Sequence, residues 1–167
     1  MKETISRGAP LKRRGVKLAG GGMLALMLGS KSMALALFSK GIADLEKGWR
    51  ADHPDVAPGW RVRWEHATRF YEKTHTNPVN RALHMAGIPL ILSGAIGLVT
   101  MPRFSPPWAM SAGAFGIGWA LNIVGHSVYE KNRPAFADDP LSFVAGPIWD
   151  LAQVRQALAR AASSSST

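Results

Sequence analysis

The chain has 167 residues, enough for one domain with a sizeable core or for a small helical membrane bundle. It has no cysteine, which excludes disulfides, thiolate metal sites and cysteine nucleophiles, and leaves five histidines with Asp, Glu and Asn as metal donors. Its formal charge is +9, yet its mean hydropathy is zero because polar, basic flanks are averaged with an apolar middle.

Much of the charge is N-terminal: Lys2, Arg7, Lys12, Arg13, Arg14 and Lys17 stand against Glu3 alone. A basic flank beside an apolar stretch suits an anionic lipid surface, and no aromatic platform interleaves with the bases, so nucleic acid is not an expected partner. Residues 18–38 are ambiguous. Lys12-Arg13-Arg14 ahead of an apolar run ending in Ala34-Leu35-Ala36 has the features of a signal peptide, but Lys31 interrupts the run and Gly20-Gly21-Gly22 weakens a helix. A cleaved signal, a membrane-associated helix and an over-long start ahead of Met23 or Met33 all remain open. The expected division is a basic N-terminal segment over 1–40, a helical membrane domain over 41–160 and a disordered serine-rich tail over 161–167.

Trp60, Trp64, Ala67 and Tyr71 recur at helical spacing, with Arg63, Arg69 and Lys73 around them, so 60–74 reads as an amphipathic helix suited to a membrane interface. Asn77-Pro78 then reads as a helix start, with Asn77 as N-cap and Pro78 at the first helical position. Ala82 to Met101 is an apolar run of 20 residues, and Trp108 to Tyr129 one of 22. Each is long enough to cross about 30 Å of hydrocarbon. Between residues 82 and 129 the only charged side chain is Arg103, in the breaker-rich turn Met101-Pro102-Arg103-Phe104-Ser105-Pro106-Pro107.

The expected fold is therefore all-α: a small helical membrane bundle with a central transmembrane hairpin and flanking amphipathic helices, the last marked by Leu151, Val154 and Leu158. A buried hairpin in a soluble core is the competing arrangement, and the hairpin's glycines suit close packing in both. Basic residues before and after the hairpin, against Arg103 alone in its loop, place both ends of the hairpin on the cytoplasmic side.

An antiparallel hairpin sets the start of its first helix beside the end of its second. His84, near the first start, and His126, near the second end, then lie at similar depth, and His75 arrives from the preceding segment. Three imidazoles converge, a donor set that suits Fe(II), Zn and other first-row ions. Asn80 and His84 are four apart, as are Asn122, His126 and Glu130 in turn, so each helix carries a polar strip on one face. Glu130 reads as a metal ligand, an orienter of His126 or a general base. Arg81, Lys131 and Arg133 flank the site, either to grip a substrate carboxylate or as part of the positive-inside bias. His53 and His66 lie in charged stretches and read as surface residues. Asn132 and Pro134 read as helix-stopping residues.

The segments His75-Thr-Asn-Pro-Val-Asn-Arg-Ala-Leu-His84-Met-Ala-Gly87-Ile-Pro89-Leu, Gly125-His126, Glu130-Lys-Asn-Arg-Pro-Ala-Phe136 and Asp139-Pro140-Leu141 resemble a membrane family typified by the fungal endoplasmic-reticulum 2-hydroxy fatty acid dioxygenase of α-oxidation. The resemblance covers roughly residues 49–150; Asn122 stands where the family often has Gln, and the first 40 residues have no counterpart in it. It implies that His75, His84 and His126 bind Fe(II), with Glu130 as fourth ligand or proton carrier; Arg81, Asn122, Lys131 and Arg133 are, from their positions, the candidate substrate-binding residues. The implied reaction cleaves a 2-hydroxy fatty acid with O2 to CO2 and an acid one carbon shorter, at a membrane of bacterial inner-membrane or endoplasmic-reticulum type. A non-catalytic lipid-binding or assembly protein and a metal-dependent lipid hydrolase are the alternatives.

Overall fold

The computed structural model describes residues 6–164 and is all-helical over them. Its first unit is a hairpin of α1 (Ala9–Met27) and α2 (Lys31–Asp52), turned at Gly29, whose φ of 78° is in the left-handed region that glycine tolerates. The stretch that was ambiguous by sequence is thus the turn and both arms of a packed pair. Small residues line the seam: a Cβ at Gly41 would lie 2.6 Å from the Ala19 backbone nitrogen, so only glycine permits this approach. The open end is closed by Asp52, which accepts from the Gly8 N–H at 2.7 Å and the Ser6 hydroxyl at 2.8 Å and pairs with Lys12 at 2.8 Å. Burial opposes ionisation of Asp52, but these donors win and hold its pKa at about 2.

Helix α3 (Trp60–Thr74) buries Arg63, Ala67 and Tyr71, one stripe at i, i+4, i+8. The stripe differs from the expected one: Trp60 is 68% exposed and pairs with Trp64 on the outer side. Arg63 turns inward because its charge is fully partnered there. It pairs with Asp139 at 2.6 Å and Glu46 at 2.9 Å, and its guanidinium lies 3.7 Å from the Trp49 ring centre.

Helix α4 (Pro78–Thr100) starts as expected, with the Asn77 side chain accepting from the Val79 N–H at 2.9 Å and Pro78 in the first turn. Helix α5 (Pro106–Val124) starts at the Ser105 cap. The two form the expected antiparallel hairpin: Gly94 faces Ser111 and Phe115, and Gly118 faces Ile91, so paired residue numbers rise on one helix as they fall on the other. A Cβ at Gly94 would lie 2.6 Å from the Phe115 nitrogen. Ile91, Leu98, Trp108 and Phe115 form the buried cluster between the helices. Among the described helices, α4 alone is long and apolar enough to cross a membrane. Pro106, Pro107, three glycines and Asn122 lower the mean hydropathy of the 19-residue α5, so the pair of spans expected from sequence reduces to one candidate.

After α5 the chain makes a π turn (Gly125–Glu130), ends it with Lys131 in the left-handed region, and forms a short 3₁₀ turn (Ala135–Ala137). The last helix, α6 (Ser142–Ser164), is longer than its apolar periodicity suggests. It packs on α3 through Gly146 and Asp150, both against Tyr71, and leaves Leu151 66% exposed. The tail expected to be disordered from 161 is helical through Ser164, and 165–167 lie outside the described residues.

Candidate metal centre

His75 follows the last residue of α3, His84 lies in the second turn of α4, and His126 lies in the π turn. The fold brings them together: their donor atoms lie within 4.8 Å of one another, and each residue is at most 5% exposed. All three ring-centre separations are 4.8 Å, with interplanar angles of 78–88°. Three imidazoles on one first-row cation, with bonds of about 2.1 Å at right to tetrahedral angles, hold their ring centres about 4.5–5.2 Å apart. The donor set fits a metal ion.

The tautomers are fixed by the opposite ring nitrogens. His75 Nδ1 donates to the Tyr71 carbonyl at 3.1 Å, and His84 Nδ1 to the Asn80 carbonyl at 2.9 Å. His126 Nδ1 donates to Asn132 Oδ1 at 2.6 Å. The Asn132 amide cannot be reversed, because its nitrogen donates at 2.8 Å to the Thr74 carbonyl, which can only accept. With every Nδ1 carrying a proton to an oxygen, the three Nε2 lone pairs are the free donors. Burial first, and then the neighbouring imidazoles, lower the His75 pKa to about 3, so it is neutral and ready to ligate at neutral pH. The Tyr71 ring stacks on it at 3.8 Å.

Glu130 lies outside the group of imidazoles. One oxygen accepts from the Thr76 N–H and hydroxyl, each at 2.8 Å; the other accepts from the Asn77 N–H and the Asn80 amide, each at 3.0 Å. Burial opposes its charge, but these four donors lower its pKa. The reason it departs from the His126 face is the π turn. Closing i→i+5, that turn makes a spacing of four fall short of a full revolution, whereas in an α-helix it slightly exceeds one. The carboxylate becomes a strap from the π turn to the start of α4, where helix polarity also favours a negative charge.

The other expected site residues divide. Asn122 is buried and lines the cavity beside the three histidines, and no donor among the described residues reaches its Oδ1. Arg81 is committed to Asp150, at 2.9 Å from its Nε, and lies 4.6 Å from the Trp149 ring centre. Asp150 also accepts from the Tyr71 hydroxyl at 2.5 Å, whose pKa burial and that carboxylate push up. Lys131 and Arg133 are exposed and do not line the cavity. His53 and His66 stay outside the imidazole group, as expected, but are half-buried rather than freely exposed: His53 stacks on Trp49 at 4.5 Å, and His66 lies 3.4 Å from Asp139.

Sequence reasoning missed Asn132 as the partner of His126, and the Tyr71–Asp150–Arg81 chain behind His75. Asp150 carried a signal, as a lone acid in the apolar stretch Gly146-Pro-Ile-Trp-Asp150-Leu; Asn132, six residues from its histidine in a non-α turn, carried none.

The family model described as 2-hydroxy-palmitic acid dioxygenase Mpo1-like matches residues 63–158, more than half of the chain. The chain belongs to the Mpo1-like family. All three histidines, Asn132, Glu130 and Asp150 fall inside the matched span, so the centre of this Mpo1-like chain is built from family-matched residues, while all of α1 and α2 precedes them. Comparison with curated proteins and with solved structures gives no match.

The cavity at the histidines is small, about 30 Å³, and its outer wall includes Trp119, Phe136 and Phe143. Trp119 and Phe143 stack at 5.8 Å, with Phe136 edge-on to Trp119 at 5.9 Å.

Proposed function

We propose that this chain is an Fe(II)-dependent dioxygenase of 2-hydroxy fatty acids, taking RCH(OH)COOH and O2 to RCOOH, CO2 and H2O. The observation that carries the reading is the convergence of three Nδ1-tied imidazoles within an Mpo1-like sequence. Fe(II) held by His75, His84 and His126 would supply O2 activation and, with three protein ligands, leave positions for a chelating hydroxy acid. The protein's own part is to keep these imidazoles buried and oriented, each with its Nε2 free.

In this reading Asn122 offers its buried amide to the substrate's hydroxyl or carboxylate, and Lys131 and Arg133 attract the acid from the rim. Arg81 acts at one remove, holding Asp150 and thereby Tyr71 against His75. Glu130 is a positioning residue that fixes where α4 begins relative to His75 and His126.

Lipid is the expected surroundings. Helix α4 supports this, as do the exposed Ile96, Met110 and Ile117 along the hairpin's outer side. The centre lies at the hairpin end flanked by Arg81, Lys131 and Arg133, which the positive-inside rule puts in the cytoplasm.

The test is anaerobic purification with metal analysis, followed by oxygen-consumption and mass-spectrometric assay with 2-hydroxypalmitate. One Fe per chain, with pentadecanoate and CO2 formed per O2, is the expected result. Turnover of a lipid ester without O2 would replace the reading with hydrolysis.

A further inference from the structure

A second and much larger space adjoins the histidine cavity. It is an apolar groove of about 1100 Å³ between the α1–α2 hairpin, the α4–α5 hairpin and the start of α6, with Phe38, Ile91 and Ala95 among its walls. Trp119, Phe136 and Phe143 line both the groove and the cavity, so one aromatic layer separates them. The three rings come from three elements, α5, the 3₁₀ turn and α6. Their side chains can part without breaking a helix.

We infer that the groove holds the alkyl chain of the substrate, and that Trp119, Phe136 and Phe143 form the neck through which the 2-hydroxy acid head reaches the histidines. This rests on the dioxygenase reading for the identity of the head, but not for the presence of a fatty-acid tail. Size supports the division. The cavity of about 30 Å³ is a small fraction of the groove of about 1100 Å³, room for a compact head but not for a 16-carbon tail. Counting each methylene as about the size of a water, a 16-carbon chain needs about 500 Å³, which the groove provides.

Continuity identifies the occupant. A membrane phospholipid could lay a tail in the groove, but its head is far larger than the cavity beyond the neck, and a helix from a second copy is wider still. A carboxylate with an adjacent hydroxyl is slender enough to pass the rings while its tail stays in the groove. The far wall, including Phe38, comes from residues ahead of the family-matched span, so chain-length preference is set partly by this chain's own N-terminal hairpin.

The test uses the full chain in lipid nanodiscs with Ala95→Phe, which narrows the groove away from the histidines, and Phe38→Ala, which widens the far wall. In the metal-free protein, displacement of a fluorescent 16-carbon fatty acid by 2-hydroxypalmitate should weaken about tenfold in Ala95→Phe, an added ring being worth at least one or two methylenes of misfit. His84→Ala should bind the probe as the parent does. In the Fe(II)-loaded protein, the ratio of kcat/KM for 2-hydroxypalmitate to that for 2-hydroxyoctanoate should fall about tenfold in Ala95→Phe and shift toward longer acids in Phe38→Ala. Groove-dependent probe binding without turnover would sustain the groove and overturn the dioxygenase reading. Turnover with an unchanged ratio in both variants, each retaining its helical circular dichroism and metal content, would overturn the groove. So would co-purified phospholipid that 2-hydroxypalmitate fails to displace.

Discussion

Replacing Asn132 with Leu removes a residue that holds one of the three histidines in place. Its Oδ1 takes the proton of His126 at 2.6 Å, and its Nδ2 gives one to the Thr74 carbonyl at 2.8 Å, next to His75. One amide thus sets the ring of His126 and the backbone that delivers His75. Loss of such an outer partner costs about 10–100-fold in metal affinity, or about 1.4–2.7 kcal/mol. The freed Thr74 carbonyl adds a stability cost of about 1–3 kcal/mol if no water replaces the amide. Asn132→Asp separates the two effects, because it keeps an acceptor for His126 and lacks the donor to Thr74. The assay is Co(II) titration against a competing chelator, followed by the d–d absorbance, with thermal denaturation of each apo-protein alongside. Expected is a large affinity loss in Asn132→Leu, substantially restored in Asn132→Asp, while both melt lower than the parent. Equal metal affinity in all three proteins, with only stability changed, would refute the tautomer argument and with it the convergence of three free Nε2 atoms.

Glu130→Gln leaves two of four converging donors facing an NH₂ group, so a loss on the order of 2 kcal/mol in denaturant unfolding is expected with metal stoichiometry kept; intact stability with lost metal would make Glu130 a ligand instead. Arg63→Ala strands Asp139, which is 1% exposed, and should cost about 3–5 kcal/mol by chemical denaturation, unlike Arg69→Ala on the outer side of the same helix. Asp52 has a folded pKa of about 2 against an ordinary 3.8, so its contribution is full above pH 3.8 and fades as pH falls through 2. Trimmed for solvent screening this is on the order of 1–2 kcal/mol; Asp52→Asn should show that deficit at pH 7 and a much smaller one at pH 2.

The hairpin and its three histidines were legible because they rest on coarse signals. Two apolar runs broken by Pro102 and Pro106 fold back in one way, and antiparallel register then brings Asn80 to Gly125 and His84 near His126. The N-terminal pair was not legible, because Gly15, Ala19, Gly22 and Gly41 work by letting backbones approach and carry no hydrophobic periodicity. Arg63 misled for the opposite reason. An arginine reads as solvent-facing, and the partners that make its burial favourable, Glu46 and Asp139, are 17 and 76 residues away. The tertiary partner decided the face, not the local pattern.

The same distinction explains why the centre is held mainly by residues that do not point into it. The three histidines belong to the end of α3, the start of α4 and the π turn, and no single helix fixes their spacing. Glu130 ties the turn to Thr76, Asn77 and Asn80; Asn132 ties it to Thr74; Tyr71 and Arg81 meet at Asp150. These links cross between elements and enclose the segment 71–84, so two imidazoles cannot drift apart without breaking a charged or buried hydrogen bond. Inside that frame three lone pairs face one another with every Nδ1 proton turned away. Such an arrangement is electrostatically costly with nothing between the rings, and so suits a cation better than it suits a packed histidine interface.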